Sequence, residues 1–373
     1  RSFKIELRSR ELLPWPRRKA GMAEDARVLP PQLDHFRTSV LEVWHSGTLA
    51  VHETARLRMI RLVINAMTTK PGGAMTGLLG LLNGYRQLGL PVHITVVASA
   101  KNTLDAVLQS GLADRTEPYL PDASGLRAFV WQNLRLGKTL RRLKADVLLT
   151  NNHFVFNIPC KQIVHHRNLW RFLPDDAVCE ANHSYGEPIR DWTAVKALKA
   201  ADANLFVSDF IRREAERIVP ESAATNYVVR NGLSDDVLDR AESVPDRYDG
   251  RPQLLAIQSA NNHKANPTLL ETLAVLRKKA PEVDWKLHIA GSPDRGSWKP
   301  FQRMAQSLGI TDSVTWHGFC PHDRIDELLR ESLCLVFTSL LEAGPNPLLE
   351  SMARRCPPIS TNVAAMPEFL DSG

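Results

Sequence analysis

The 373-residue sequence predicts an α/β protein of two doubly wound, parallel-sheet domains in tandem. Three observations lead to this prediction. Short apolar runs of strand length alternate with stretches of helical spacing from residue 58 onward, a polar and acidic segment then interrupts them, and the same alternation resumes afterwards. Alternating strands and helices are typical of parallel sheets that are covered by helices on both faces.

The first domain is predicted over residues 58–240 and opens with a βαβ unit. Apolar runs of strand length lie at residues 59–67 and 92–98, and residues 74–88 between them carry apolar side chains at helical spacing. The loop 68–73 joins the first strand to this helix. A basic helix and further strands follow, at residues 126–144 for the helix and at 146–150, 161–164, 203–207 and 227–230 for the strands.

Residues 1–57 form an N-terminal extension to which the sequence assigns no function. The first twenty residues carry seven basic side chains, but no apolar segment follows, so the pattern is not that of a secretory signal. A basic arm on anionic lipid is one interpretation. A solvated tail is the favoured one, because it needs no special partner.

A linker is predicted at residues 241–251, where the chain is polar and acidic, and the second domain at residues 252–373. Its strands are predicted at residues 254–257, 285–290, 314–317, 334–338 and 358–361, and its helices at 267–279, 300–308, 324–330 and 347–354. Two such domains create a cleft at the carboxyl ends of both sheets, which is where these folds bind ligands.

Composition narrows the class of protein. Hydrophobic residues make up 43% and charged residues 24%, and no apolar run approaches the roughly 20 residues of a membrane-spanning helix. The net charge of +6 suits anionic ligands or an anionic membrane surface and does not by itself indicate nucleic acid. The five cysteines include no Cys-x-x-Cys pair, which argues against a disulfide framework or a zinc site and favours the cytoplasm.

One stretch carries specific chemistry. Glu342 and Glu350 have seven residues between them, the first in a loop after a strand and the second inside the next helix, whose first turn holds Pro347. A carboxylate only accepts hydrogen bonds, and its two oxygens match a pair of vicinal sugar hydroxyls. The helix N-terminus between the glutamates offers unpaired N–H groups to a diphosphate. The pattern indicates a nucleotide-sugar site.

At these residues the chain resembles the retaining GT-B glycosyltransferases of family 4, whose signature is this pair of glutamates separated by seven residues. The resemblance runs from about residue 59 to residue 368, and further landmarks lie in the expected order. These landmarks are Gly72-Gly73, His165-His166, Ser208, Asn231-Gly232, Lys264, Gly291, Gly318 and Pro367-Glu368. The resemblance implies the GT-B fold and a hexosyltransferase-like enzyme of glycan biosynthesis.

For the second domain the resemblance implies specific roles. Glu350 would accept hydrogen bonds from the ribose of the donor, and Glu342 would hold hydroxyls of the transferred sugar. Lys264 would neutralise the departing diphosphate. The loop formed by Gly344, Pro345 and Asn346 would help to bind sugar and phosphate.

For the first domain the resemblance implies a glycine loop at Gly72 and Gly73 that approaches the donor phosphates or the acceptor. His166, or else its neighbour His165, would face the donor sugar. Such enzymes typically need no metal and no other cofactor. The expected partners are a nucleotide-diphosphate-sugar and a glycan, lipid-linked or small-molecule acceptor, without nucleic acid.

Two departures from the family pattern stand out. Members usually have an arginine five residues before the lysine, and here that position is Ser259. Either another basic group, such as Arg230 or His263, substitutes, or leaving-group stabilisation is weakened. The family also normally continues past the Pro367-Glu368 landmark with further elements and a last helix that crosses back onto the first domain, so the second domain is expected to be incomplete.

Other functions fit the residues less well. A dinucleotide-binding oxidoreductase needs a Gly-x-Gly-x-x-Gly loop directly after the first strand and an acidic residue after the second, and neither is present. A metal-dependent transferase needs an Asp-x-Asp pair, which the sequence lacks. A sugar-nucleotide epimerase on the same fold, and a weak or inactive transferase-like domain that binds a partner or glycan, stay as alternatives.

Plainer interpretations accompany each candidate residue. Glu342 and Glu350 could be surface carboxylates, Lys264 a solvated lysine, and the two glycines at 72 and 73 a turn that starts a helix. Of two adjacent histidines on a strand, at most one is expected to line the cleft. The basic helix could meet a membrane or an anionic lipid-linked acceptor, although a solvated helix face is the simpler interpretation.

Overall fold

A computed structural model describes residues 59–67, 69, 73–119, 125–151, 154–167, 172, 187–233, 237–238, 250–293 and 297–370. The predicted N-terminal extension at 1–57 lies outside the described residues, as does the predicted linker except for its last two residues. The described strands form two parallel sheets, one of seven strands and one of five, as the alternating pattern predicts.

The first sheet has the strand order β3-β2-β1-β4-β5-β6-β7, with every pair parallel. The chain leaves the central β1 first towards one edge and then towards the other, so the sheet is doubly wound. Its strands are β1 (Ile60–Asn65), β2 (Val92–Ala98), β3 (Arg115–Pro118), β4 (Val147–Asn151), β5 (Lys161–His166), β6 (Ala203–Phe206) and β7 (Asn226–Val228).

Helices connect these strands. They are α1 (Gly73–Gln87), α2 (Lys101–Ser110), α3 (Gly125–Trp131), α4 (Gly137–Leu143), α5 (Glu187–Ala200) and α6 (Asp209–Ile218). A π-helical segment, Gln132–Leu136, joins α3 to α4, so the predicted basic helix is one continuous helical rod with a π turn inside it. No described helix is long and apolar enough to cross a membrane.

The core of the first domain lies on both faces of its sheet. On one face Ile64 packs with Leu78 and Leu82 of α1. On the other face Val63 packs with Leu136 and Leu140 of the π–α4 rod. Because both faces are buried, the central strands are continuous apolar runs in the sequence and not alternating ones.

The second sheet has the order β10-β9-β8-β11-β12, again all parallel. Its strands are β8 (Gln253–Ile257), β9 (Lys286–Ala290), β10 (Val314–Gly318), β11 (Cys334–Phe337) and β12 (Pro358–Ser360). Its helices are α7 (Asn266–Lys279), α8 (Lys299–Ser307), α9 (His322–Glu331) and α10 (Asn346–Ala353). The two sheet faces bury separate clusters, one around Leu270 and Ile289 and the other around Leu329 and Phe337.

Among the described strands and α-helices, β3 and the helices α2 and α5 have no counterpart among the predicted ones. β3 has the polar sequence Arg-Thr-Glu-Pro, without the apolar run that marks the central strands, and it forms the edge of its sheet. An edge strand has a partner on one side only, so its residues need not be apolar. The fold as a whole is the predicted one.

Candidate functional site

The loop after β8, residues 258–265, carries the predicted lysine. Buried amides hold this loop: Nε2 of Gln258 donates to Oδ1 of Asn266 at 2.8 Å, and Nδ2 of Asn266 donates to the carbonyl of Ser259 at 3.0 Å. A short 3₁₀ turn, Asn262–Lys264, then leads into α7. The loop is therefore fixed at both ends, and Lys264 projects from a rigid turn at the carboxyl edge of the sheet.

The loop after β11 is tied to the first loop along its length. The N–H of Leu340 donates to the carbonyl of His263 at 2.7 Å, and Oγ1 of Thr338 donates to the carbonyl of Lys264 at 2.8 Å. Because β8 and β11 are neighbours in the sheet, both loops leave the same edge. These bonds bring Lys264 next to Glu342.

Lys264 and Glu342 form a close ion pair, with Nζ 2.5 Å from Oε1. Each side chain is only 16% exposed. The Lys264 ammonium also lies 5.4 Å from the ring centroid of Phe337. Partial exclusion of water strengthens the attraction between the charges, and the same exclusion strengthens the attraction of either group for a charged or hydroxyl-bearing ligand.

Glu350 lies on α10, the helix that follows the Glu342 loop and has Pro347 in its first turn. Burial raises the pKa of the Glu350 carboxyl above its ordinary value, and the positive charge of Arg354 opposes that shift. A partly desolvated carboxylate gains free energy from hydrogen-bond donors such as hydroxyl groups. Glu350 is therefore a partly desolvated acceptor on the helix that follows Glu342.

The loop between the two glutamates contacts the first domain. Nδ2 of Asn231 donates to Oδ1 of Asn346 at 2.9 Å and to the carbonyl of Gly344 at 3.4 Å. A Cβ on Gly344 would lie 2.8 Å from Nδ2 of Asn231 and 3.3 Å from Cγ2 of Val207, so this approach needs a glycine. Val207 and Asn231 follow strands β6 and β7, so the carboxyl edges of the two sheets face each other here.

A second contact between the domains involves Glu368. Its carboxylate accepts the backbone N–H groups of Asp209 at 2.7 Å and of Phe210 at 2.5 Å, which are the first two residues of α6. Arg230 lies 2.6 Å from Oδ2 of Asp209 and 3.5 Å from Oε2 of Glu368. A negative charge at a helix N-terminus is stabilising, so Glu368 joins the domains through the α6 dipole.

The two predicted histidines at the end of β5 point to opposite faces of the sheet. The ring of His166 stacks on Phe206 and contacts Phe172, and its Nε2 is 2.9 Å from Oδ1 of Asn204. His165 lies on the face covered by α1, and its buried Nε2 has no hydrogen-bond partner within the described residues. Burial and the charge of Arg167 lower the pKa of His165 to about 3.

The structure also describes most of the other residues that the sequence singles out. Gly73 is the first residue of α1, and Gly72 lies outside the described residues. Pro345 precedes α10, and the Oγ of Ser259 accepts a hydrogen bond from Nδ2 of Asn261 at 2.9 Å. Arg230, one of the two groups considered as a substitute for the family arginine, is bonded to Asp209 and Glu368.

Arg167 is not among the residues that the sequence points to. It follows His166 directly, and its side chain contacts α1. The available signal was a basic residue at the carboxyl end of a buried strand, which is the ligand edge of a parallel sheet. Within the described ranges, no group of three or more His, Cys, Asp or Glu side chains lies close enough together to hold a metal ion.

Two family models match the chain. Glycosyltransferase Family 4 matches residues 71–237, and Glycosyl transferases group 1 matches residues 239–373. Together they span both described sheets. The boundary between the two matches falls between the last strand of the first sheet and the first strand of the second.

Curated relatives match over shorter stretches. An alpha-D-kanosaminyltransferase of Streptomyces kanamyceticus is 26% identical over 195 residues, which is 50% of this chain and 49% of that protein. A lipopolysaccharide 1,6-galactosyltransferase of Salmonella typhimurium is 31% identical over 89 residues, which is 23% of this chain and 24% of that protein. The chain thus spans about half the length of the first relative and about a quarter of the second.

Solved structures match over most of the chain. A glycosyltransferase from Rickettsia africae has a TM-score of 0.62 at 14% identity, covering 84% of this chain and 82% of that one. A sucrose-phosphate synthase from Thermosynechococcus elongatus has a TM-score of 0.61 at 14% identity, covering 82% of each chain. At these identities the likeness establishes the fold. Taken with the two family models, it shows that the chain belongs to the group 1 glycosyltransferases of family 4 and has the GT-B fold.

Proposed function

We propose that the chain transfers a sugar from a nucleotide-diphosphate-sugar to a glycan, lipid-linked or small-molecule acceptor, with retention of anomeric configuration and without a metal ion. The observation that carries the proposal is the water-shielded Lys264–Glu342 pair, which precedes a helix bearing Glu350. This combination supplies one cation for phosphate and two carboxylates for sugar hydroxyls.

The two glutamates would bind two sugars. Glu350 accepts from the ribose hydroxyls of the nucleotide, because its desolvated carboxylate gains most from such donors. Glu342 accepts from hydroxyls of the transferred sugar. Asn346 and the loop at Gly344 lie against Asn231 of the first domain, so a sugar held here is within reach of an acceptor bound on that domain.

Lys264 would stabilise the leaving group. As the bond between the anomeric carbon and the diphosphate breaks, its electron pair moves to a phosphate oxygen, and negative charge grows there. The acceptor hydroxyl oxygen forms the new bond to the anomeric carbon on the same face, and its proton passes to the departing phosphate. The Lys264 ammonium can release its bond to Glu342 and bind that phosphate oxygen instead. The first N–H groups of α10 add partial positive charge in the same region. In the proposed mechanism these groups perform the charge stabilisation that a metal provides in other transferases.

Of the two adjacent histidines, the geometry favours His165 as the one that reaches the substrate. Its buried Nε2 has no partner within the described part of the chain, whereas His166 is bonded to Asn204 and stacked on Phe206. The His166 ring would then be a positioning group that fixes the end of β5.

The proposal is tested by incubating the protein with UDP-, GDP- and ADP-sugars and following both hydrolysis and transfer by NMR, with and without EDTA. We expect one nucleotide class to be consumed, the product to keep its anomeric configuration, and EDTA to leave the rate unchanged. Loss of activity in EDTA with recovery in Mn²⁺, or an inverted product, contradicts the proposal. Nucleotide binding without any turnover would favour the transferase-like binding domain, and a free epimerised sugar would favour the epimerase.

We further propose that the rod of α3, the π segment and α4 rests on an anionic membrane surface, where a lipid-linked acceptor would be found. Leu134 is 76% exposed and Val130 is 42% exposed. Basic side chains on the same rod surround these apolar groups, namely exposed Arg127, Arg135, Lys138 and Arg141. An apolar ridge flanked by cations is typical of helices that lie in the membrane interface.

Vesicle sedimentation tests this contact. The protein should sediment with vesicles that contain about one third phosphatidylglycerol and not with neutral phosphatidylcholine vesicles, because each basic residue near the surface adds about 1 kcal/mol of attraction to anionic lipid. Leu134→Ser should reduce sedimentation several-fold. Leu108→Ser, at an apolar side chain on α2 that is 61% exposed, is the matched control. Equal sedimentation of both variants with the wild type would refute the contact.

A further inference from the structure

Arg167 occupies an unusual position for a cation. It follows β5 directly, and its guanidinium lies on the first turns of α1, where Nη1 is 3.4 Å from the carbonyl oxygen of Ala74. A Cβ on Gly77 would lie 2.2 Å from the same Nη1 atom, so the missing side chain of Gly77 leaves the space that the guanidinium fills. The glycine at position 77 therefore leaves room for the Arg167 guanidinium at the carboxyl edge of the first sheet.

A second polar group lies beside this cation. His165 is two residues earlier, on the face of β5 that α1 covers, and Arg167 contacts α1 as well. It is only 8% exposed, and its Nε2 has no hydrogen-bond partner within the described residues. A buried ring nitrogen without a partner costs free energy, which a ligand at this edge would recover.

The loop after β8, residues 258–265, carries no arginine. Ser259 takes the position where the family resemblance expects an arginine, and its hydroxyl bonds to Asn261. Arg230 is bonded to Asp209 and Glu368. Lys264 carries a charge at the site but is paired with Glu342. A phosphate bound between the two sheet edges would gain from a further cation on the first domain.

We propose that Arg167, together with Nε2 of His165, binds a phosphate group in the cleft. The guanidinium fork matches two phosphate oxygens, and the neutral imidazole donates a third hydrogen bond. The identity of the ligand rests on the proposed function, and the phosphate belongs either to the donor diphosphate or to a phosphorylated acceptor.

Calorimetry on purified variants tests the proposal. Nucleoside diphosphates (UDP, GDP and ADP) form the first arm, and inorganic phosphate, with and without a saturating nucleoside diphosphate, forms the second. If the donor phosphate is held, Arg167→Gln should weaken nucleoside diphosphate binding about ten- to a hundredfold. If an acceptor phosphate is held, nucleotide binding should stay unchanged and inorganic phosphate binding should fall by the same factor. Arg303→Gln, at an exposed arginine on α8, is the matched control.

Gly77→Ala separates ligand binding from folding. The new methyl group displaces the guanidinium without changing the charge of the protein, and alanine stabilises a helix relative to glycine. We expect phosphate affinity to fall while the unfolding temperature is kept or raised. Arg167→Lys keeps the charge but loses the fork, so it should restore part of the affinity lost in the glutamine variant.

The proposal is overturned if the wild type and Arg167→Gln bind phosphate and nucleoside diphosphates equally, or if the wild type binds neither. A protein that binds inorganic phosphate through Arg167 but binds no nucleoside diphosphate would refute the proposed function while supporting this phosphate site. The two failures are therefore distinguishable.

Discussion

The carboxylate of Glu368 accepts the backbone N–H of Phe210 at 2.5 Å, across the boundary between the two domains. A side chain of the second domain thus caps a helix of the first. Arg213 and Arg230 each lie 3.5 Å from the same carboxylate and balance its charge. Together with the bonds of Asn231 to Gly344 and Asn346, this cap holds the carboxyl edges of the two sheets towards each other.

Removal of that cap should lower the free energy of unfolding. Glu368→Ala leaves two helix N–H groups without their acceptor and removes the nearby negative charge from Arg213 and Arg230, although Arg230 keeps its bond to Asp209. We expect a loss of about 1 to 2 kcal/mol in the free energy of unfolding. Urea unfolding followed by circular dichroism measures it. Glu221→Ala, at a glutamate whose side chain is 66% exposed, serves as the control and should change stability little. Equal effects of the two substitutions would mean that the cap is not stabilising.

Lys264 is already paired with Glu342, so in the proposed mechanism Glu342 competes with phosphate for Lys264. Glu342→Gln should therefore leave nucleoside diphosphate binding unchanged or make it several-fold tighter, while Lys264→Met should weaken it about ten- to a hundredfold. Sugar transfer should fall in both variants. The prediction fails if Glu342→Gln and Lys264→Met weaken nucleotide binding to the same extent.

Ser259 and Arg167 should compensate for each other if both positions face the phosphate. In the Arg167→Gln background, Ser259→Arg should recover part of the lost turnover, since it returns a cation to the diphosphate. In the wild-type background the added arginine meets Arg167 and crowds the loop that holds Asn261, so turnover should fall. Steady-state rates of the two single variants and the double variant decide this. Independent, additive effects would show that the two positions do not act on one group.

Neutral buried histidines should make the protein less stable in acid. Burial, His317 and Arg324 lower the pKa of His288 from 6.5 to about 4, and burial with the charge of Arg167 lowers that of His165 to about 3. The unfolded chain takes up protons at these positions as the pH falls through about 6.5, while the folded chain does not. Their contribution to stability is therefore complete above pH 6.5 and is lost as the pH falls towards 4.

Urea unfolding at pH 7.5 and pH 5 measures this loss. His288→Asn should reduce the difference in stability between the two pH values, because it removes a group that titrates differently in the two states. Leu108→Ser, at an apolar side chain that is 61% exposed, should leave the difference unchanged. An identical pH dependence for the wild type and His288→Asn would contradict the assignment.

The sequence alone was sufficient to predict two doubly wound, parallel-sheet domains and the glutamate motif. Buried parallel strands leave continuous apolar runs in the sequence, such as the run that contains β1. The spacing of Glu342 and Glu350 can be counted directly in the sequence. β3 was not predictable in this way, because an edge strand of polar residues has no such signature. The capping role of Glu368 and the contact of Arg167 with α1 also escaped prediction, since both depend on residues that are distant in the chain.

The two histidines show why a site cannot be completed from sequence. Adjacent residues on a strand face opposite ways, and only the structure reveals that the ring of His166 is stacked on Phe206 and bonded to Asn204. The same limit applies to Arg230, which the sequence offers as a diphosphate cation and which Asp209 and Glu368 hold instead.

The central claim is that Glu350 holds the ribose of a nucleotide, and calorimetry with UDP, GDP, ADP and pyrophosphate on the wild type and Glu350→Ala tests it most directly. Glu271→Ala, at an exposed glutamate on α7, is the control. We predict that Glu350→Ala weakens binding of the preferred nucleoside diphosphate about ten- to a hundredfold and leaves pyrophosphate binding unchanged, since pyrophosphate has no ribose. Unchanged nucleotide affinity in a folded Glu350→Ala protein would contradict the account.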